Sequence, residues 1–165
     1  MKKIIIVFLA LFMTTFLYSK ELKFLDIATE TSTIKDVQKT LKDKKIKYTY
    51  EKDRFGDYTK DNNIVIEMDE YEGLKCTKIQ LLFNKEKKFT SFKLIFKESE
   101  NTEDTINQVL YDLLIYYEIS KEKNEYKVIS TTIYSIWSFS EDMKYFMSYG
   151  GDSNGVNEIT VEKRL

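Results

Sequence analysis

Apolar and polar residues alternate with a period of two through the middle of the chain. Between Cys76 and Lys97, Ile79, Leu81 and Phe83 alternate with Lys78 and Gln80, and Phe92, Leu94 and Phe96 alternate with Ser91, Lys93 and Lys97. That period puts each apolar set on one face of a strand. The charged run Asn84-Lys85-Glu86-Lys87-Lys88 between them predicts a hairpin with one buried side. Shorter strands are predicted on either side. Ile46, Tyr48 and Tyr50 form one, Ile64, Ile66 and Met68 another, and Asp69-Glu70-Tyr71-Glu72-Gly73 turns the chain into the central hairpin. Glu51 to Asn62 reads as a polar loop.

Two segments switch to a helical period. Ile34, Val37 and Leu41 form one narrow stripe, introduced by Thr33 and Asp36 at capping-box spacing and followed by Lys42, Lys44 and Lys45, cations suited to a helix C-terminus. The second helix is predicted from Asn101 or Thr102 as cap, through acidic Glu103 and Asp104 and the apolar series Ile106, Val109, Leu110, Leu113, Leu114 and Tyr117, to a stop at Lys121-Glu122-Lys123-Asn124. Strand character then returns over Tyr126 to Phe139 and Met143 to Tyr149, joined by a turn at Ser140-Glu141-Asp142. Gly150 to Gly155 reads as a flexible loop before a last strand, Val156 to Val161. The fold class predicted is α+β: an antiparallel β-sheet with two main helices packed on one face. Helix and strands occur twice, so two degenerate helix-plus-meander repeats are expected, with Gly73 to Glu98 and Tyr126 to Tyr149 as rough equivalents.

The N-terminus obeys a different pattern. Lys2 and Lys3 precede an apolar run from Ile4 to Leu17, and Tyr18-Ser19 forms a short exit, the three parts of a secretory signal peptide. The run is shorter than the roughly 20 residues of a membrane span. The expectation is a leader over 1–19 and one exported α+β domain over 20–165, periplasmic or extracellular, with no stable span once the leader is cleaved. Leu17, bulkier than the residue usual near a cleavage site, leaves retention of the run as an anchor open.

Composition removes several chemistries. The 165 residues include 26 basic and 27 acidic side chains, a formal net charge of −1, which loss of Lys2 and Lys3 takes to −3. Neither value is the basic footprint of a nucleic-acid binder, and Arg54 and Arg164 are the only arginines. The chain has no histidine, which rules out Ser-His-Asp and Cys-His hydrolysis and histidine-containing zinc sites. Cys76 stands alone, so no intramolecular disulfide or multi-cysteine cluster forms. Neither the phosphate-binding pattern G-x-x-x-x-G-K-[ST] nor G-x-G-x-x-G occurs. No cofactor, metal ligand set or catalytic residue is predicted.

Aromatic residues make up 15% of the chain, and four in the last strands are candidate binding residues: Tyr134, Trp137, Tyr145 and Tyr149. On a sheet covered by helices on one side, they would line the other face and anchor a protein partner; the alternative is that they are core. In element order, Thr33 to Leu165 resembles small exported bacterial proteins of the β-lactamase-inhibitor-protein-like kind, which pair two helix-plus-sheet repeats; outer-membrane assembly lipoproteins use one such unit. The disulfides of the first group and the leader-end cysteine of the second are missing here. The resemblance implies a domain that binds proteins through a sheet face or loops and is not an enzyme. The reading is a non-catalytic interaction domain of the cell envelope or extracellular space, with an envelope or extracellular protein as partner. The alternatives are a carboxylate-dependent hydrolase of envelope polysaccharide and a structural envelope subunit.

Overall fold

The computed structural model describes residues 21–50, 63–117, 125–126, 134–139 and 144–163, of which 125–126 and 134–139 are described as backbone only. The leader, the 51–62 loop, the helix stop predicted at 121–124, residues 127–133 and the Ser140–Asp142 turn lie outside the described residues.

Twelve strands and two α-helices are described. Strands β1 (Lys23–Phe24) and β2 (Ala28–Thr29) form a small hairpin, followed by helix α1 (Ile34–Asp43), β3 (Tyr48–Tyr50) and β4 (Asn63–Ile66). A second small hairpin, β5 (Glu70–Tyr71) and β6 (Leu74–Lys75), precedes β7 (Lys78–Phe83) and β8 (Phe89–Lys97). Helix α2 (Glu103–Tyr116) leads to β9 (Glu125–Tyr126), β10 (Tyr134–Phe139), β11 (Tyr145–Gly151) and β12 (Val156–Lys163).

Eight strands make one antiparallel sheet in the order β3-β4-β7-β8-β12-β11-β10-β9. Each half of that order is a four-stranded meander preceded by a helix, and the two halves meet where their last strands, β8 and β12, pair. The duplicated order expected from the sequence is therefore present as topology. The equivalent segments are wider than the rough match predicted, running from β3 to β8 and from β9 to β12.

One parity of this sheet carries the core. Ile64, Ile66, Ile79, Leu81, Phe92, Leu94, Phe96, Ile159 and Val161 are buried, and they cluster with Ile34, Val37 and Leu41 of α1 and with Ile106, Val109 and Leu113 of α2. Both helices thus cover the same face. The helices start where side-chain chemistry dictates. Thr33 and Asp36 form a reciprocal capping box, and the Thr102 hydroxyl accepts from the Thr105 N–H at 3.2 Å. Asn101, the other candidate cap, instead fastens β6: its side chain accepts from the Lys75 N–H at 2.7 Å and donates to the Lys75 carbonyl at 3.0 Å.

The first described residues belong to this core. Leu22 and Phe24 are fully buried, and the Phe24 ring packs against Phe92 and Tyr71 at centroid distances of 5.2 and 5.5 Å. The Tyr117 hydroxyl donates to the Lys23 carbonyl at 3.0 Å and accepts from its N–H at 3.3 Å, closing the end of α2 onto β1.

Three expectations change. The strand predicted over Tyr126 to Phe139 is two, β9 and β10, which pair antiparallel with Tyr126 opposite Ile136. Gly150 and Gly151 lie in β11 and not in a loop, because the Asp152 carboxylate organises a shorter turn by accepting from the N–H groups of Asn154 at 2.9 Å and Val156 at 3.0 Å. Gly155 completes that turn at φ +71°, a left-handed conformation that glycine adopts without strain. In β8 the register shifts opposite Leu82 and Phe83, where Thr90 is an extra residue. This bulge lets Phe89 and Phe92, three apart, both face the core.

Candidate interaction surface

The cross-strand register divides the four candidate aromatics. Tyr145, Met147 and Tyr149 share the parity of Val161 and Ile159, with which Met147 and Tyr149 pair. Tyr145 is 3% exposed and packs against Tyr117 with ring centroids 5.0 Å apart. Tyr149 stacks on Phe96 at 6.4 Å and is partly buried against the core. Position 134 pairs with Gly151 and keeps this parity, whereas Trp137 pairs with Ser148 and falls on the opposite one. The four positions therefore do not form one aromatic face. Parity within a strand is legible from the sequence; the phase between strands is set by pairing.

Around Tyr145 the inner face ends in a polar cluster. The Glu30 carboxylate accepts from the Leu22 N–H at 3.2 Å and from the Tyr145 hydroxyl at 3.4 Å, and it pairs with the Lys163 ammonium at 3.2 Å. Burial works against its charge, but the Leu22 N–H and Lys163 outweigh that cost and hold the carboxyl below its usual range. Burial also raises the Tyr117 and Tyr71 phenols and pushes the Cys76 thiol up to about 12, so all three are neutral packing groups near neutral pH.

The face turned away from the helices is built differently. Val65, Gln80, Lys93, Thr160 and Ser148 form one row across five strands, and Lys78, Ile95, Glu158 and Gly150 form another. At its centre Lys93 pairs with Glu158 at 2.9 Å, and the Thr160 hydroxyl donates to the same carboxylate at 2.7 Å. Val65, Leu82 and Ile95 add apolar area, each partly exposed. No described helix covers this face. Two of its polar atoms, Asn63 Oδ1 and Ser91 Oγ on either side of Leu82, are shielded from solvent and accept no hydrogen bond. Unsatisfied buried atoms are rare in native proteins and cost stability.

Four described carboxylates are shifted in the same direction. Asp26, Glu30, Asp36 and Asp152 are all displaced downward in pKa, by Lys44, by Leu22 and Lys163 against burial, by Thr33, and by the Val156 and Asn154 N–H groups respectively. A general acid needs the opposite shift. Among the described residues no group of three or more acidic or cysteine side chains is placed to hold a metal ion, and no helix is long and apolar enough to cross a membrane.

One concavity stands apart from the sheet face. Ile34, Lys35 and Gln38 of α1, Tyr50 at the end of β3, and Glu86 and Lys87 of the β7–β8 turn enclose a shallow groove of about 340 Å³. The Gln38 amide donates to the Tyr50 hydroxyl across it, and Tyr50 remains 49% exposed. Nothing in the sequence marks this groove, because its walls come from three separated segments. Comparisons with family models, with characterised proteins and with solved structures find no match to this chain.

Proposed function

We propose that this chain is a non-catalytic interaction domain, exported by its N-terminal leader, that binds an envelope or extracellular protein through the sheet face opposite the helices. The observation that carries the reading is that face: a mixed apolar and polar surface spanning both meanders, with no described helix over it and a charged pair at its centre. Flat, partly apolar surfaces with a polar complement suit protein partners. The likeness in element order to β-lactamase-inhibitor-protein-like domains agrees with a sheet-face binder, and supports it only as an analogy of architecture.

The test is crosslinked affinity capture of the chain from Lys20 onward in the envelope and medium of its host, comparing the native sequence with Ile95→Glu. The reading predicts one partner captured in stoichiometric amount by the native chain and lost with Ile95→Glu, while the far-UV spectrum and melting temperature of the variant stay native-like. Equal capture by both proteins, or only the bare monomer from each, would count against it.

A further inference from the structure

The turn between β11 and β12 holds a chemically labile pair. Asn154-Gly155 is the only Asn-Gly sequence in the chain. Where glycine follows asparagine, no Cβ hinders the glycine nitrogen from reaching the asparagine carboxamide. Asn154 is exposed, and a Cβ built on Gly155 would meet nothing within 4 Å, so water and space are both at hand. The reaction is a ring closure. The Gly155 nitrogen gives its proton to hydroxide and bonds to Asn154 Cγ; the Cγ–Nδ2 bond breaks, and the amide takes a proton from water and leaves as ammonia. Water then opens the succinimide at either carbonyl, leaving aspartate or isoaspartate at position 154. Isoaspartate would add a carbon to the main chain between two strands that pair from Tyr145↔Lys163 to Gly151↔Asn157.

Asp152 holds every group that this closure must move. The Gly155 N–H, the nucleophile, donates to the Asp152 carbonyl at 3.1 Å. Asp152 Oδ1 accepts from the Asn154 N–H at 2.9 Å and the Val156 N–H at 3.0 Å, fixing the main chain on both sides of the Asn154–Gly155 peptide. Its Oδ2 accepts from Asn154 Nδ2, the leaving amide, at 3.5 Å. Ring closure needs the nitrogen turned onto Cγ in a near-attack geometry, which these bonds oppose.

We propose that Asn154 is a latent modification site, deamidated to aspartate and isoaspartate when the turn opens, and that the Asp152 carboxylate guards it by holding the turn closed. A tenfold change in rate corresponds to about 1.4 kcal/mol, the scale of one or two lost hydrogen bonds. The inference is independent of what the chain binds.

Incubation of the purified chain at mildly alkaline pH, followed by peptide mass mapping, tests it. Deamidation is read at position 154, localised by fragmentation, as the mass gained when a carboxamide becomes a carboxylic acid. The native chain is expected to deamidate at least tenfold more slowly folded than unfolded in urea, a comparison that needs no variant. Asp152→Ala, checked for folding by its far-UV spectrum, should deamidate at least tenfold faster than the folded native chain. Asp152→Asn keeps an acceptor oxygen for the Asn154 and Val156 N–H groups and should stay close to the native rate. Unfolded in urea, all three should react alike. Equal rates for the native chain folded and unfolded would overturn the inference, as would a folded Asp152→Ala no faster than the native chain or an Asp152→Asn as fast as Asp152→Ala.

Discussion

Phe24 offers a direct probe of how the chain begins its fold. Its ring is fully buried between Tyr71 and Phe92, although it lies only two residues beyond Leu22, the first buried side chain described. Burial of a phenylalanine contributes about 1.5 to 3 kcal/mol by area, and its ring pairs add about 0.5 to 1.5 kcal/mol. Phe24→Ala also leaves a cavity, so a loss of about 3 to 5 kcal/mol is expected. Against a typical domain stability of about 5 to 15 kcal/mol, that is a substantial fraction. With a urea slope of about 2 kcal/mol/M, the unfolding midpoint should fall by about 2 M. A double-mutant cycle with Phe92→Ala should show coupling of about 0.5 kcal/mol or more, because the two rings touch. A Phe24→Ala loss below about 1 kcal/mol, or additivity with Phe92→Ala, would refute the packing of β1 into the core.

Four further outcomes follow from the same geometry. Tyr145→Ala should cost about 3 to 5 kcal/mol by urea unfolding, and Tyr145→Phe under about 1.5 kcal/mol, since its role is packing. Glu30 has a folded pKa below its unfolded one, so its contribution is present above the unfolded value near 4.5 and lost as pH falls through the folded value; Glu30→Gln should flatten the stability profile in that acid window. Cys76, with its thiol pushed up to about 12, should be inert to a disulfide reagent at pH 8 in the folded protein, where about one thiol in ten thousand is ionised, and react promptly in urea. Thr33→Ala should cost about 1 kcal/mol by removing a cap, measurable as a lower melting temperature.

The local patterns were legible because each depends on neighbours in sequence. Period-two alternation marked β7 and β8, and the Thr33 and Asp36 spacing marked the start of α1. Phe89 lies three residues from Phe92, off that period, and only the Thr90 bulge in the structure puts both on one face. In α2 the predicted stripe of six narrows: Ile106, Val109, Leu113 and Tyr117 are buried, while Leu110 and Leu114 are partly so, because a helix on a sheet meets the core along one side only. The hairpin of β1 and β2 has two residues in each strand, too few for a period to show.

The candidate surfaces were less legible for a different reason. Whether Trp137 shares a face with Tyr145 depends on a register between strands, and a one-residue slip reverses the answer. The groove is assembled from α1, β3 and the β7–β8 turn, which are adjacent only in the folded chain. The excess of lysine over 35–47 and 85–88 was visible in the sequence, yet it reads as a solvated helix end, and only the structure brings Lys35 and Lys87 to the walls of one groove.

The most direct test of the sheet-face reading is site-specific photocrosslinking in the native host, with a benzophenone amino acid placed in turn at partly exposed Ile95 on the face opposite the helices and at Asp112 on the exposed side of α2. The account predicts a discrete protein adduct from position 95 and none from position 112. Adducts of equal yield from both positions, or from position 112 alone, would contradict it.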